Sequence, residues 1–249
     1  MKITASIITL NEENNIKDCI ESMLTVCDEI IVVDSESNDK TVEISESLGA
    51  KVYIQRYLGD GPQKAFGVQY ASNDWILSID ADERLEQDMI DRIQSLKLSD
   101  PNTAYAFRRK NYVGNHWIKA AGFYPDYVTR LYNRTTSKYM DLKAHSKVIA
   151  PKKRNIKAHI KHFTYDSYSH WIERLSWFIN RDAWAYYSKG KRPSKIRPFT
   201  SGFAAFVQKF IVKGGIFQGA DGMTVTLTSI MRAYMKYTIL NDIYENEKK

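Results

Sequence analysis

The chain has 249 residues, 43% hydrophobic and 12% aromatic, which excludes a disordered protein and allows one large core or a main domain with a smaller appendage. The formal net charge is +7, but residues 1–100 carry 9 basic and 20 acidic side chains, whereas residues 101–249 carry 27 and 9. An acidic first half suits a metal site, and a basic, aromatic second half suits an anionic partner such as phosphate, phospholipid or nucleic acid.

The first hundred residues alternate apolar strands with helices. Short β-branched runs predict strands over residues 3–9, 29–33, 51–54 and 75–79. Helical spacing and turn signals predict a helix beginning at Asn14 or Asn15 and reaching Leu24, and helices over residues 41–48, 63–71 and 87–96. Apolar strands that alternate with helices indicate an α/β fold with a mostly parallel sheet, in which ligands bind beyond the carboxyl ends of the strands.

The second half changes character. Strands are predicted over residues 104–109 and 128–132, the basic residues 152–154 are interpreted as a solvated turn, and the chain reads as helical from Tyr168 with an interruption at residues 189–193. Cys19 and Cys27 are interpreted as packing residues of a reduced, cytosolic protein. Residues 3–8 are too short for a signal-peptide core, and no run approaches the ~20 apolar residues that span a bilayer, so a soluble or peripheral protein is expected.

An acidic run, Asp80-Ala81-Asp82-Glu83, follows the fourth predicted strand. Carboxylates that emerge together repel one another unless a cation lies between them. Mg²⁺ and Mn²⁺ prefer oxygen ligands and a shared diphosphate, so a metal here would stabilise a departing nucleoside diphosphate. An isolated Asp-x-Asp is more often a solvated turn. The position of this one at a strand end favours the metal site.

Polar residues also close the first two strands. Thr9, Asn11 and Glu12 follow the first strand, and Asp34, an acceptor for a ribose hydroxyl or a base N–H, ends the second. Lys64 follows Gly-Pro at a predicted helix start, where it can meet a diphosphate together with helix amides. The competing interpretations are a helix cap for Asp34 and an ordinary exposed lysine for Lys64.

These motifs resemble those of family 2 glycosyltransferases. The likeness is carried, in matching order and spacing, by TLNEE at residues 9–13, VVDSESNDKT at 32–41, QK at 63–64 and DADE at 80–83. The resemblance implies a GT-A fold, inversion of the anomeric configuration, a nucleotide-sugar donor and Mg²⁺ or Mn²⁺. It implies that Asp34 contacts the uracil, Asp80 the ribose and Asp82 the metal. The other implied donor-site residues are Thr9, Asn11, Glu12, Lys64 and Ala81.

The second half is similar to the lipopolysaccharide inner-core β-1,4-glucosyltransferases, which glucosylate a core heptose. The matching segments are FYPDY at residues 123–127, RLY at 130–132 and GGIFQGADG at 214–222. One departure stands out: His145-Ser146 occupies the place where His-Glu is expected. Tyr124, Arg130 and His145 are the predicted acceptor residues. The implied segments are a nucleotide-sugar-binding half, 1–100, an acceptor-binding half of the same domain, 101–165, and a helical extension, 166–249.

Inversion by a single displacement needs a base for the acceptor hydroxyl. Asp126 is the first candidate because it lies beside aromatic residues that can stack on a sugar and partly desolvate the carboxylate. Asp141 and His145 are the runners-up.

The C-terminal extension combines phenylalanines near helical spacing with basic residues, which is typical of a helix in an anionic membrane interface. The aromatic residues concerned are Phe199, Phe203, Phe206, Phe210 and Phe217. The alternative is a helix that packs on the catalytic domain.

The expected function is transfer of glucose from UDP-glucose to a lipopolysaccharide inner-core heptose at the cytoplasmic face of a bacterial inner membrane. The same chemistry on a polyprenyl-linked or other glycolipid acceptor stays open. Non-catalytic alternatives are a nucleotide-sugar sensor and a nucleic-acid-binding module, which the acidic first half disfavours. A nucleotidyltransferase ordinarily has a glycine-rich basic loop after the first strand, and residues 9–13 are acidic and lack glycine.

Overall fold

The computed structural model describes residues 2–141 and 146–247. Its strands are β1 Ile3–Thr9, β2 Glu29–Asp34, β3 Lys51–Ile54, β4 Trp75–Asp80, β5 Glu83–Leu85, β6 Thr103–Val113, β7 His116–Trp117, β8 Asp126–Asn133, β9 Lys138–Tyr139, β10 Val148–Ile149 and β11 Lys152–Tyr165. Its α-helices are α1 Ile16–Glu21, α2 Thr41–Ser47, α3 Asp60–Val68, α4 Gln87–Ser95, α5 Tyr168–Ser188, α6 Arg197–Phe206 and α7 Gly219–Asn246. A π-helical turn, Val207–Val212, and a 3₁₀ turn, Gly215–Phe217, follow α6.

The elements predicted for the first hundred residues are all present, with small differences at their ends. Helix α1 ends at Glu21 and does not reach Leu24, which is exposed. Helix α3 begins at Asp60, and its Gly-Pro pair lies in the first helical turn. Backbone N–H groups of the first turn have no partner within the helix, so proline, which has no N–H, is tolerated there. The predicted solvated turn at residues 152–154 is wrong, since these exposed residues begin the long strand β11.

The chain divides into two compact units. Unit 1 comprises residues 1–110 and 126–162, and unit 2 comprises residues 111–125 and 163–249. The predicted segment 1–100 falls within unit 1, and the predicted extension 166–249 falls within unit 2. The middle segment, 101–165, contributes to both units.

The main sheet has nine strands in the order β3-β2-β1-β4-β8-β6-β11-β5, with β7 paired to β6. The first four strands are parallel neighbours, and β8 is antiparallel to both β4 and β6. Strand β5 pairs antiparallel with β11. The predicted parallel sheet therefore forms one part of a mixed sheet, which antiparallel strands extend.

Buried aliphatic side chains line both faces of the parallel strands. In β2, Ile30 and Val32 belong to one core cluster and Ile31 and Val33 to another, as expected for alternate residues of a strand. The same division separates Leu77 from Ile76 in β4. Burial on both faces explains why these strands read as continuous apolar runs in the sequence.

Unit 2 is built around α7, which packs against α5 and α6. Close approach at the start of α7 requires glycine: a Cβ on Gly222 would lie 2.0 Å from the Gly215 carbonyl oxygen. This contact explains Gly222 of the GGIFQGADG segment by packing, and a Cβ on Gly215 would lie 2.8 Å from the Lys209 carbonyl oxygen. Among the described residues, no helix combines the length and the apolar character needed to cross a bilayer.

Candidate active site

The register of the parallel strands brings predicted site residues to one edge of the sheet in unit 1. Thr9 at the end of β1 lies beside Asp34 at the end of β2, and Ile8 lies beside Asp80 at the end of β4. Three successive strand ends therefore present polar side chains together. This is the edge at which ligands bind in such sheets.

Asp34 is fully buried and held by three hydrogen bonds. The Thr9 hydroxyl donates to its Oδ2 at 2.8 Å, and Ser37 donates its N–H to Oδ1 at 2.8 Å and its hydroxyl to Oδ2 at 2.5 Å. Both oxygens of the carboxylate are therefore fixed in direction. The cap interpretation does not apply, because Thr41, the first residue of α2, donates to Asp39 instead.

The loops after β1 and β2 are joined to each other. Asn11 donates its N–H to the Ser37 hydroxyl at 2.7 Å and accepts from the Asn38 N–H at 2.9 Å. The Glu12 N–H donates to the Thr41 hydroxyl at 2.7 Å. Asn11 and Glu36 both have left-handed backbone, with φ of 55° and 66°. Strained backbone that is held in place by several neighbouring hydrogen bonds is typical of ligand-binding loops.

Asp80 lies between two cations. Lys64 Nζ is 2.8 Å from its Oδ1, and an Arg130 guanidinium nitrogen is 2.5 Å from its Oδ2. Burial alone would raise the pKa of the Asp80 carboxyl, but Arg130 and Lys64 outweigh burial and hold that pKa well below its usual range. Asp80 is therefore ionised at neutral pH. Ala81, next in the chain, is buried, and its carbonyl accepts from Arg84 at 2.8 Å.

Lys64 is not the ordinary exposed lysine of the competing interpretation. Its side chain is 8% exposed, and its Nζ lies 3.1 Å from Asp60 as well as 2.8 Å from Asp80. Burial alone would lower the pKa of this ammonium, but Asp80 raises the pKa above its ordinary value. Lys64 is a buried, permanently charged group at the strand-end cluster.

Asp82 has a partner that sequence analysis missed. The Nε2 atom of His162 lies 3.2 Å from Asp82 Oδ2, because β11 pairs with β5 and sets His162 opposite Glu83. Burial alone would raise the pKa of the Asp82 carboxyl, but His162 and Arg109 together outweigh burial and hold that pKa below its usual value. The strand that carries His162 was not predicted, so no pattern linked this histidine to the acidic run.

The Asp82–His162 pair fits a divalent ion. Octahedral ligands at about 2.0–2.1 Å from Mg²⁺ are about 3 Å apart when adjacent, close to the 3.2 Å found here. One oxygen and one imidazole nitrogen leave the remaining positions for water and a diphosphate, and Mn²⁺ accepts both ligand types. Asp82 and His162 are the residues that would hold the metal.

A second cluster of possible ligands is formed by Glu86, which follows β5, Asp88 of α4 and His159 of β11. Ligand atoms of Glu86, Asp88 and His159 all lie within 4.8 Å of one another. Glu86 is paired with Lys110, and His159 Nδ1 is 2.5 Å from Asp88. Because Lys110 already neutralises Glu86, and His159 contacts Asp88 through both its backbone N–H and its Nδ1, we assign no metal to this cluster.

Asp126, the predicted base, begins β8 opposite Arg109 of β6. The Arg109 guanidinium holds its Oδ2 through two nitrogens at 2.8 and 2.9 Å, and the Asp126 side chain is 32% exposed. The carboxylate is thus oriented and accessible. Asp141 is exposed, and the third candidate, His145, lies outside the described residues.

The predicted acceptor residues are in different settings. Arg130 is 5% exposed in unit 1, where it contacts Asp80 and Glu83. Tyr124 is in unit 2, edge-on to Trp117 with ring centres 5.1 Å apart. Ser146, where a glutamate was expected, donates its N–H to Asp60 at 2.8 Å and its hydroxyl to the Met140 carbonyl. The acceptor roles stay predictions.

Comparisons with known proteins decide the family. The Glycosyl transferase family 2 model matches residues 4–168. An uncharacterized glycosyltransferase of Rickettsia bellii is 31% identical over 97% of this chain and 87% of its own length.

This chain is a family 2 glycosyltransferase. The lipopolysaccharide core biosynthesis glycosyltransferase LpsC of Rhizobium meliloti is similar to it, with 34% identity over 45% of this chain and 44% of LpsC. A crystal structure of S. aureus TarS 1-349 in complex with UDP-GlcNAc resembles it over 99% of this chain and 92% of that one, with a TM-score of 0.52 and 15% identity. The likeness to TarS shows the fold.

The predicted family and fold are confirmed. This glycosyltransferase has the mixed α/β GT-A fold, with a helical C-terminal region. The strand-end cluster of unit 1 lies within the stretch that the family model matches. The roles predicted for individual residues stay predictions.

Proposed function

We propose that this transferase is metal-dependent and inverting, and that it moves glucose from UDP-glucose onto a heptose of a lipopolysaccharide inner core. One observation carries the catalytic part of the proposal. Asp34 ends β2, Asp80 ends β4, and β1 lies between these two strands. His162 lies 3.2 Å from Asp82, which follows β4, so the proposed nucleotide-binding edge adjoins the proposed metal ligands.

In the proposed donor complex, Asp34 accepts a hydrogen bond from the uracil and Asp80 accepts one from the ribose. Lys64 contributes a permanent positive charge for the diphosphate. A divalent ion bound by Asp82 and His162 would neutralise negative charge on the leaving diphosphate. The chain itself supplies the orientation, because each of these side chains is fixed by neighbouring groups.

Asp126 is the proposed base. The acceptor hydroxyl attacks the anomeric carbon from the face opposite UDP, and its proton passes to an Asp126 oxygen. The new glycosidic bond forms as the bond to the diphosphate breaks, and UDP leaves with the electron pair. Arg109 orients the Asp126 carboxylate throughout.

The acceptor proposal rests on the partial likeness to LpsC and on the basic character of the second half of the chain. Phosphorylated core sugars and anionic glycolipids carry the charge that such a surface attracts. A polyprenyl-linked or other glycolipid acceptor would use the same site chemistry.

We further propose that unit 2 holds the protein on the cytoplasmic face of the inner membrane. Residues 183–220 contain seven lysines and arginines and no acidic residue. Phe199, Phe203 and Phe217 are exposed, whereas Phe206 and Phe210 are half-buried and stacked with ring centres 5.2 Å apart. Exposed aromatic side chains among cations suit an anionic lipid surface.

Calorimetric titration with UDP, UDP-glucose, UDP-galactose and UDP-N-acetylglucosamine, first with Mn²⁺ and then with EDTA, tests the donor part. We expect tightest binding of UDP-glucose and a loss of at least tenfold in affinity with EDTA. Tighter binding of another UDP-sugar would show that UDP-glucose is not the donor. Absence of binding under both conditions would overturn the UDP-sugar proposal and favour the nucleic-acid alternative. Binding without turnover on any core or glycolipid acceptor would favour a sensor.

A further inference from the structure

A chain of alternating charges crosses the candidate active site in unit 1. It begins with Asp60, Lys64 and Asp80, joined at 3.1 and 2.8 Å. It continues from Asp80 through Arg130 to Glu83, with 2.5 Å at each step. From Glu83 it passes through Arg109, at 3.6 and 2.8 Å, to Asp126. The proposed ribose ligand, Asp80, and the proposed base, Asp126, therefore belong to one continuous set of ion pairs, with Glu83 midway between them.

Glu83 is the centre of this chain and is fully buried. Its Oε1 faces the guanidinium groups of both Arg130 and Arg109, and its Oε2 accepts the Asp80 N–H at 3.1 Å. An ionised carboxylate is costly to bury unless it is paired and hydrogen-bonded. Hydrogen bonds from Arg130 and the Asp80 N–H, together with the Arg109 guanidinium at 3.6 Å, meet that requirement.

The position of Glu83 is more specific than stability requires. Apolar side chains would fill the same volume at no cost in desolvation. Glu83 instead links the two arginines that contact Asp80 and Asp126. Each of those aspartates shares its arginine with the same buried carboxylate, so a change at Glu83 reaches both.

We propose that Glu83 is a positioning residue that shares Arg130 with Asp80 and Arg109 with Asp126, and so couples donor binding to proton removal. Its role in the reaction rests on the proposed function, in which Asp126 is the base. Glu83 itself touches neither substrate.

The variant Glu83→Gln keeps the shape of the side chain and removes its charge. Arg109 then acts on Asp126 without competition, and one negative charge near Asp126 is lost. The charged groups joined to Asp126 are Arg109 on β6, Glu83 on β5 and, through Arg130, Asp80 on β4. Both changes favour ionised Asp126, which becomes a weaker base.

Three measurements on the full chain test the proposal. The ¹³Cγ titration of Asp126, assigned by comparison with Asp126→Asn, is expected to shift down by about 0.5–1 pH unit in Glu83→Gln. UDP affinity is expected to fall about tenfold because Arg130, no longer shared with Glu83, pairs more tightly with Asp80 and competes with the ribose for its carboxylate. The acid limb of the kcat–pH profile is expected to move with the titration, and kcat on the plateau to fall about two- to tenfold.

Glu86→Gln is the matched control, because Glu86 follows the same strand and pairs with Lys110 outside the chain of charges. We expect it to leave all three readouts unchanged. If the Asp126 titration and UDP affinity of Glu83→Gln equal those of the wild type, the proposal is overturned. A folded but less stable Glu83→Gln with an unshifted titration would also overturn it, since a purely structural role predicts that result.

Arg109→Lys provides a second route if Glu83→Gln does not fold. Lysine keeps the positive charge but lacks the planar guanidinium group, whose several N–H donors let Arg109 contact two carboxylates at once. The Asp126 titration is expected to move up in this variant, and an unmoved titration would count against the coupling. The carboxyl titration needs no sugar donor, so it still decides the coupling if the wild type fails to bind UDP-sugars and the proposed function falls.

Discussion

The imidazole of His162 and the carboxylate of Asp82 meet although they are far apart in the sequence. If they hold a metal, His162→Ala should weaken Mn²⁺-dependent UDP binding about 10- to 100-fold, and Asp82→Ala should do so at least as strongly. Binding measured in EDTA should change little. Calorimetry with UDP provides the measurement.

His159→Ala is the matched control, because His159 lies on the same strand and pairs with Asp88. It should leave the metal dependence unchanged. Equal Mn²⁺ enhancement in His162→Ala and the wild type would show that His162 is not a ligand.

The substitution Asp126→Asn separates the proposed proton removal from donor binding. Asp126→Asn should bind UDP-glucose with wild-type affinity and lower kcat about 10²- to 10⁴-fold, because an amide cannot take the acceptor proton. Steady-state transfer assays and calorimetry provide the two readouts. Asp141→Asn is the comparison. Should Asp126→Asn retain full kcat while Asp141→Asn loses it, the base is Asp141.

At the scale of elements, Glu29 joins three strands at the start of β2. It accepts from Thr4 at 2.6 Å, from Lys51 at 2.7 Å and from two Ser72 donors at 2.8 Å. Burial alone would raise the pKa of the Glu29 carboxyl, but these donors lower it to about 2 from 4.5. A depressed folded-state pKa contributes stability above the unfolded pKa and loses it as the pH falls through the folded pKa.

Glu29→Gln should therefore lower the free energy of unfolding by about 1–2 kcal/mol at pH 7, a value reduced by solvent screening. The difference should shrink between pH 4.5 and about pH 2, the two pKa values. Urea unfolding at pH 7 and pH 3 measures it. Glu43→Gln, on the exposed side of α2, should show no such difference, and a pH-independent effect at Glu29 would contradict the ionic explanation.

The start of α7 makes a second prediction at this scale. Gly222→Ala places a methyl group 2.0 Å from the Gly215 carbonyl oxygen, so unit 2 should lose about 1–3 kcal/mol. Gly202→Ala in α6 meets its nearest atom at 3.6 Å and should be neutral or gain up to about 1 kcal/mol from helix propensity. Thermal unfolding compares the two. Equal stability of both variants would show that the helix shifts to accommodate the methyl group.

At the scale of the whole molecule, the concentration of basic residues in the second half of the chain predicts that unit 2 makes the membrane contact. The double variant Phe199→Ser/Phe203→Ser should bind vesicles of phosphatidylglycerol and phosphatidylethanolamine about tenfold more weakly than the wild type, and binding should fall with salt. Vesicle sedimentation measures it.

Leu24→Ser/Ile54→Ser removes two exposed apolar side chains of unit 1 and is the matched control. It should bind like the wild type. If both double variants bind equally, the phenylalanines do not make the membrane contact.

Local patterns were sufficient for the part of the fold whose signals lie close together in the chain. Strands β1, β2 and β4 are buried on both faces, so their apolar runs stand out, and polar residues mark their ends. The strand-end acidic groups, Asp34, Asp80 and Asp82, were found for the same reason. Family membership followed from the spacing of these motifs.

Long-range pairing decided the rest. Strand β11 begins with exposed basic residues and resembles a turn, yet its pairing with β5 brings His162 to Asp82. In the sequence, Glu83 is one of three acidic residues in a short run, and nothing distinguishes it from the others. In the structure it is buried between Arg130 of β8 and Arg109 of β6. The sequence by itself determined which strands are buried and where they end, because burial and turns leave local patterns. Only tertiary structure decided which charges meet, because an ion pair between distant strands leaves no local periodicity.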